Sequence, residues 1–303
     1  MNYFPNGSEE IELLKFLAKY QYLSVKDEKY FFNTSRYYRA RIKRLIEKNY
    51  LKKNKLVISL DKLGIECVKM LNFEYKSINR NRKHIDRLAR VSSIGAFYHD
   101  CKQVKFTPSF DLKDKKTYTV SSRRFIGLLD ISDMEYLTYQ MPTIKDVEYV
   151  KSVIYDLQKE KKYTNVIVFT NEIKGLPLSE FAFGVNQVLL IEETEANKEK
   201  LKYMHNVRWA DIIQKYYKQD VVISEYGFCD YTDHKEKYIS TFYFLDTEKI
   251  NRIKMFLIEN KNKNADIICD SKIAEELKKE IPGANYCIVN FEDYIDKERI
   301  IYD

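Results

Sequence analysis

Hydrophobic positions repeat at helical spacing near the start of the chain and at strand spacing later. From Ser8, Ile11, Leu13, Leu14, Phe16 and Leu17 recur three and four residues apart, as the buried face of a helix requires, and Ser8 is placed to cap it. This predicts a first helix ending near Tyr20. Ser24 then opens a shorter segment, VKDEKYFF, with Asp27 and Glu28 in its first turn, where the helix dipole favours acids, and Asn33 ends it. Thr34 and Ser35 begin the next stretch, TSRYYRARIKRLIEKNY. On a helical wheel Tyr38, Ile42, Leu45 and Ile46 share the inward face. Arg36, Arg39, Ala40 and Lys43 share the outward face, with Tyr37, Arg41, Arg44 and Lys48 along a flank, and Glu47 is its only acid. A merely solvated helix mixes signs for i,i+4 pairing, and this one does not.

YLKKNKLVISL follows, two aliphatic runs around a turn at Asn54 with Lys52, Lys53 and Lys55 at the tip, the pattern of a β-hairpin. A fourth helix runs from Asp61 to about Leu71. The order helix, helix, turn, helix, hairpin, helix is that of a winged helix, in which the third helix enters the major groove and the hairpin tip touches phosphate or the minor groove. A long basic helix is predicted from Ser77 to about Asp100, with an apolar stripe of Ile85, Leu88, Ala89, Val91 and Ile94. It can pack on a body, cross the DNA backbone or pair with a second copy, so a homodimer is one admissible assembly.

Beyond Cys101 the pattern changes to strands alternating with helices. VKFTPSFDLK, KTYTVSS, RRFIGLLDIS and MEYLTYQM have strand composition, a helix is expected over about 144–161, and TNVIVFTN and VNQVLLIEE read as strands, the latter leading to a helix through Lys202. YLTYQM, IKDVEYVKSVIYDLQKEKK and NVIVF lie beside ISTFYFL, TEKINRIKMFLIENKNK and ADIICD as two similar β-α-β units. The fold class is α/β (α+β). The expected parts are a winged-helix domain at 1–73, a connecting helix at 74–100, an α/β domain at 101–205 and a second α/β unit at 206–303.

Charge sharpens this division. Residues 1–100 hold 21 Lys and Arg against 11 Asp and Glu, a net of +10, whereas the remaining residues carry a net of −3, so the basic character of the chain belongs to its N-terminal module. A polyanion is the expected partner, with Thr34, Arg36, Tyr37, Arg39, Ala40, Lys43, Arg44, Lys52, Lys53 and Lys55 as the residues in contact with double-stranded DNA. No apolar run is long enough to span a membrane and no secretory leader precedes the first helix, so a cytoplasmic protein is expected. The five cysteines lie far apart without CxxC spacing, which disfavours disulfides and structural zinc.

Catalytic chemistry is weakly marked. A magnesium nuclease of the PD-(D/E)xK type needs acids on adjacent strands and a lysine two positions after one of them. Asp111-Leu-Lys113 and Glu172-Ile-Lys174 fit, with Glu135 as a further acid, but about six such triplets arise by chance at this usage. HExxH, P-loop, GxSxG and glycine-rich dinucleotide motifs are absent. His84, His99, His205 and His234 show no HxH spacing, which disfavours a tyrosine-nucleophile relaxase. No catalytic residue, metal ligand or cofactor is therefore assigned.

TSRYYRARIKRLIEKNYL, VISLDKLGIECVKML and KHIDRLARVSSIGAFYHD together resemble the replication-relaxation family of plasmid, phage and conjugative-element proteins, over about the first 100 residues. The resemblance implies a nuclease-like body and a role in replication or transfer initiation or its regulation, alongside replication or relaxosome proteins. Where that family would place acids on central strands, this chain has Leu128, Leu129, Thr138 and Gln140, which argues against catalysis. The expectation is a sequence-specific DNA-binding protein. Its alternatives are a magnesium-dependent nuclease and a transcription regulator whose body senses a ligand.

Overall fold

The computed structural model describes residues 7–33, 36–76, 81–114, 125–141, 153, 155, 164–174, 176, 178–217, 221–233 and 237–296. The chain divides into two compact units, Met1–Lys115 and Lys116–Asp303.

In the first unit α1 (Glu9–Tyr20) starts where its cap predicts, with the Ser8 hydroxyl accepting from the Ile11 N–H at 3.4 Å. A small sheet of β1 (Leu23–Ser24), β2 (Leu51–Asn54) and β3 (Val57–Leu60) runs in the order β1-β3-β2, all antiparallel. The segment after Ser24 is a 3-10 helix over Val25–Phe31, not the capped α-helix expected, and the Ser24 side chain makes no capping bond. The reason is local. Pairing with β3 keeps Ser24 extended, and the Val25 N–H is already committed to the Leu56 carbonyl at 2.9 Å.

The basic helix α2 (Tyr38–Glu47) begins after the polar pair expected to open it, on Tyr37, which provides no side-chain cap. Thr34 and Ser35 lie outside the described residues. α2 and α3 (Lys62–Met70) end alike. Asn49 and Asn72 take φ of 59° and 57°, and the N–H groups of Tyr50 and Phe73 reach back to the Leu45 and Val68 carbonyls at 2.9 Å, closing Schellman turns. Asp61 caps α3, and Gly64 lets α3 lie against the preceding chain, since a Cβ there would stand 2.2 Å from the Tyr50 carbonyl oxygen. α4 (Arg82–Phe97) is capped by Asn81 and buries Leu88, Val91, Ile94 and Ala96 against α1, β1 and the 3-10 helix.

β4 (Val104–Pro108) passes directly into α5 (Ser109–Asp114), so VKFTPSFDLK is not one strand. Pro108 offers no N–H to a ladder, and Asp111 falls in a helical first turn, where the dipole favours it.

In the second unit β5 (Phe125–Ile131) and β6 (Met134–Met141) form a hairpin through Ser132 and Asp133, both at positive φ. β6, β7 (Asn165–Thr170) and β8 (Gln187–Glu192) are parallel neighbours. A further sheet starts with β9 (Val221–Ile223), β10 (Tyr231–Asp233) and β11 (Tyr238–Phe242), antiparallel in sequence. β12 (Leu245–Asp246) joins β8, while β13 (Ala265–Cys269) and β14 (Asn285–Ile288) extend β11 in parallel. One plan thus occurs twice, an antiparallel pair followed by two further parallel strands.

The described α-helices here are α6 (Glu195–Leu201), α7 (Trp209–Tyr217), α8 (Thr247–Glu259) and α9 (Ser271–Glu280). α8 precedes β13, and α9 links β13 to β14. Of the helix expected over 144–161 only Val153 and Tyr155 are described, and KTYTVSS lies outside the described residues. Helices combined with mixed parallel and antiparallel sheets make this an α+β protein, as the residue pattern predicts. No described helix is long and apolar enough to cross a membrane.

Candidate nucleic-acid interface

α2 is held from its inner side. Ile42 and Leu45 are buried, and Tyr38 and Ile46 pack partly buried against the same core, as the wheel predicts. Arg41, expected on the flank, turns to α1 instead. Its guanidinium donates to Glu10 at 2.7 Å, pairs with Glu9, and lies 4.7 Å from the centre of the Phe32 ring. Glu9 also accepts the Asn33 N–H at 2.8 Å, so one cluster ties α2, α1 and the preceding turn together. Arg41 is thereby spent on the fold.

The outer face is different. Arg36, Tyr37, Arg39, Ala40, Lys43 and Arg44 are all exposed, while Thr34 lies outside the described residues. Among the described residues the ion pairs of α2 are those of Arg41 and a single long contact, Lys43 to Glu47 at 3.8 Å. Arg39 is steadied without being neutralised: its Nε donates to the Tyr38 hydroxyl at 3.2 Å, and its guanidinium lies over that ring. The first turn contains no acid and no side-chain cap, so its backbone N–H groups add to the positive field.

The hairpin continues this surface. Asn54 pairs with Val57, which leaves Lys55 and Leu56 as a two-residue turn, and Lys52, Lys53 and Lys55 are exposed. Lys55 sits at φ of 52°, a conformation that costs a residue with a Cβ about 1–2 kcal/mol.

Between helix and hairpin lies a group whose sequence position marks it only as a helix-dipole acid. Glu28, on the 3-10 helix, is 3 % exposed, and its Oε1 has no hydrogen-bond partner among the described residues. Burial pushes its carboxyl up to about 7, against the pull of both Lys53 and Arg39. One buried carboxyl therefore feels a hairpin lysine and a helix arginine together, which places the two on a common surface. The spacing of Glu28 in sequence carries no signal of this.

No family model, curated protein or solved structure matches the chain.

Within each unit the nuclease candidates do not assemble. Asp111 is on α5 of the first unit, bound to Lys19 at 2.8 Å, and Lys113 follows it on the same helix. In the second unit β6 and β7 run parallel with Leu137 beside Val166, so Glu135 is level with Thr164. Glu172 lies beyond the far end of β7 at Thr170, six positions along, which at about 3.3 Å per residue is roughly 20 Å away, too far to share one ion. Leu128, Leu129, Thr138 and Gln140 are all buried, and Thr138 donates to the Tyr136 carbonyl at 3.2 Å. Among the described residues no three His, Cys, Asp or Glu come together as metal ligands.

The second unit has a cavity of about 400 Å³ whose lining includes Tyr136, Gln187, His205, Asp230, Asp246 and Lys249. Lys249 and Asp230 are matched to each other there, whereas Arg252, also in the lining, donates to the Asn186 carbonyl at 3.2 Å. Lys249 donates to both carboxylate oxygens of Asp230 at 2.8 and 2.9 Å, and Asp230 also accepts from the Thr241 N–H and hydroxyl. Asp246 caps α8 and accepts from the Gln187 amide at 3.2 Å. The fully buried Tyr136 donates to Gln187, and its hydroxyl lies 3.5 Å from His205 Nε2. Burial raises the Tyr136 pKa and lowers that of His205, so both favour neutral forms here.

Proposed function

We propose that this chain is a cytoplasmic, sequence-specific double-stranded DNA-binding protein of the winged-helix type. α2 enters the major groove with Arg36, Arg39, Ala40 and Lys43 toward the base edges and Tyr37 and Arg44 at the rim. Lys52, Lys53 and Lys55 of the hairpin meet phosphate and the adjacent minor groove. The observation that carries the reading is the exposed run of cations on helix and hairpin, whose one carboxylate pair among the described residues is the long Lys43–Glu47 contact, while Arg41 on the same helix has two close ones. A surface that leaves its cations uncompensated is suited to displacing the counterions of DNA.

The role at a replication or transfer origin, or at an operator, of a mobile element rests on the resemblance of the first 100 residues. Homodimerisation and contact with replication or relaxosome proteins belong to the same reading. A second reading, a regulator whose second unit senses a small molecule, draws support from the 400 Å³ cavity.

The test is selection of bound fragments from random DNA, followed by fluorescence anisotropy on the enriched duplex across a salt series. Binding that weakens steeply with salt and is lost in the Arg36→Ala, Arg39→Ala, Lys43→Ala triple variant is expected. Absence of duplex binding at low salt would refute the proposal.

A further inference from the structure

The tip of the hairpin carries a residue that neither charge nor turn chemistry explains. Leu56 is 78 % exposed, and among the large hydrophobic side chains described only Ile223 is more so. Two-residue hairpin turns favour Gly, Asn, Asp or Ser, yet this one is built from Lys55 and Leu56. Lys55 accepts a positive φ that glycine would adopt freely. The Leu56 backbone is fixed, with its carbonyl accepting the Val25 N–H at 2.9 Å and its neighbours Asn54 and Val57 locked in register. An apolar side chain is therefore held out in water on a rigid mount, with Lys55 beside it in the turn and Lys52 and Lys53 exposed along β2.

Such an arrangement has a known physical use on DNA. Lysines draw the tip to the phosphates that wall the minor groove, and an apolar wedge that reaches the stacked bases can unstack a base step and kink the duplex. Three lysines on the same hairpin as one exposed leucine suit a polyanion with an apolar interior, and the duplex that α2 enters in the reading above is one. We propose that Leu56 is a minor-groove wedge that inserts at a flexible pyrimidine–purine step beside the groove occupied by α2. The inference rests on the DNA-binding reading above and adds to it a mechanical consequence: the bound duplex is bent. TA and CA steps unstack most readily, so the hairpin would select sequence there without reading base edges.

The experiment uses the full-length chain and an end-labelled duplex of about 30 base pairs with one central TA step, selected or mixed in its flanks, read by energy transfer between the ends; kinks from inserted wedges are about 20–90°. The native protein is expected to shorten the end-to-end distance. Leu56→Ala should bind within about threefold of native, because lost insertion is offset by unstacking no longer required, yet leave the duplex straight. Leu56→Met should restore the bend. Leu56 is exposed, so all three proteins should unfold at the same urea concentration.

A native complex that is straight, or a Leu56→Ala complex bent as much as native, overturns the wedge while leaving DNA binding in place. Failure of the native protein to bind any duplex overturns the wedge together with the reading on which it rests.

Discussion

The cations on the outer face of α2 and two lysines of the second unit, Lys249 and Lys200, are treated in opposite ways. In the second unit Lys249 lies between both oxygens of Asp230, and Lys200 pairs with Asp270 at 3.3 Å inside a box of Tyr243, Phe244 and Phe291 rings. Burial lowers the Lys200 pKa against the pull of Asp270, as expected of a cation held for structure. On α2, by contrast, Arg36, Arg39 and Arg44 face water with no ion pair among the described residues. A charge count alone cannot separate these classes. What distinguishes them is whether the fold has already supplied the counter-charge.

The largest expected effect lies on the matched side. Lys249→Met removes the cation from a partly buried pair in which the lysine is 16 % and the aspartate 32 % exposed. Asp230 keeps its Thr241 donors but loses its counter-charge, so a loss of about 2–3 kcal/mol in unfolding free energy is expected, below the range for fully buried pairs. Urea denaturation checks it, and anisotropy should find DNA affinity unchanged. A large loss of affinity with stability intact would erase the distinction between the two regions.

Arg39→Ala tests the unmatched side. If this arginine meets a guanine edge, affinity for the enriched site falls by about 1–3 kcal/mol and specificity relaxes. Stability should hold, since the side chain is exposed and its hydrogen bond is to the neighbouring Tyr38 hydroxyl. Arg41→Ala, on the same helix, is the control: it should lower the urea midpoint because Glu9 and Glu10 lose their partner. If the two variants behave alike, α2 has no division between a structural and a binding face.

That division is only half legible in the sequence. Periodicity locates α1, the buried face of α2 with Ile42 and Leu45, the hairpin and the apolar strands β5 to β8, because each depends on spacing within a single element. It cannot assign Arg41, since Glu9 and Glu10 stand more than thirty positions earlier and only the packing of α1 brings them near. The 3-10 helix escapes it because β1 and the Leu56 carbonyl, not local propensity, set its backbone. α5 reads as strand because strand composition runs past Pro108, where the ladder must stop. Exposure at Leu56 and burial at Glu28 are likewise properties of the assembled surface.

Glu28 sharpens the comparison through pH. Its folded carboxyl titrates at about 7, above the ordinary value of 4.5, so between these values the folded chain holds a proton that the unfolded chain has released. Stability from this group is complete below about 4.5 and is lost as pH rises through 7, a drop of about 1–2 kcal/mol once solvent relaxation is allowed for. Urea midpoints compared at pH 5 and pH 8 should show the native protein weaker at pH 8. Glu28→Gln, which cannot ionise, should remove most of that difference. A variant with the same pH slope as native would mean that the carboxyl is already well served when charged, and that Arg39 and Lys53 are not left uncompensated.

The smallest effect should come from Lys53, and it is the most specific to the kind of contact made. Lys53 is exposed at the hairpin, where it can meet phosphate but reads no base edge. Removing one phosphate contact removes about one released counterion, so Lys53→Ala should flatten the slope of log affinity against log salt by about 0.9. The loss at moderate salt should be below about 1 kcal/mol, equal for the enriched site and for unrelated duplex, because an electrostatic contact to the backbone is blind to sequence. Arg39→Ala should give the opposite signature, a loss concentrated on the enriched site. The two variants together separate positioning from readout on one surface: if Lys53→Ala changes preference between sequences, the hairpin lysine contacts bases, and the hairpin as well as α2 carries the code.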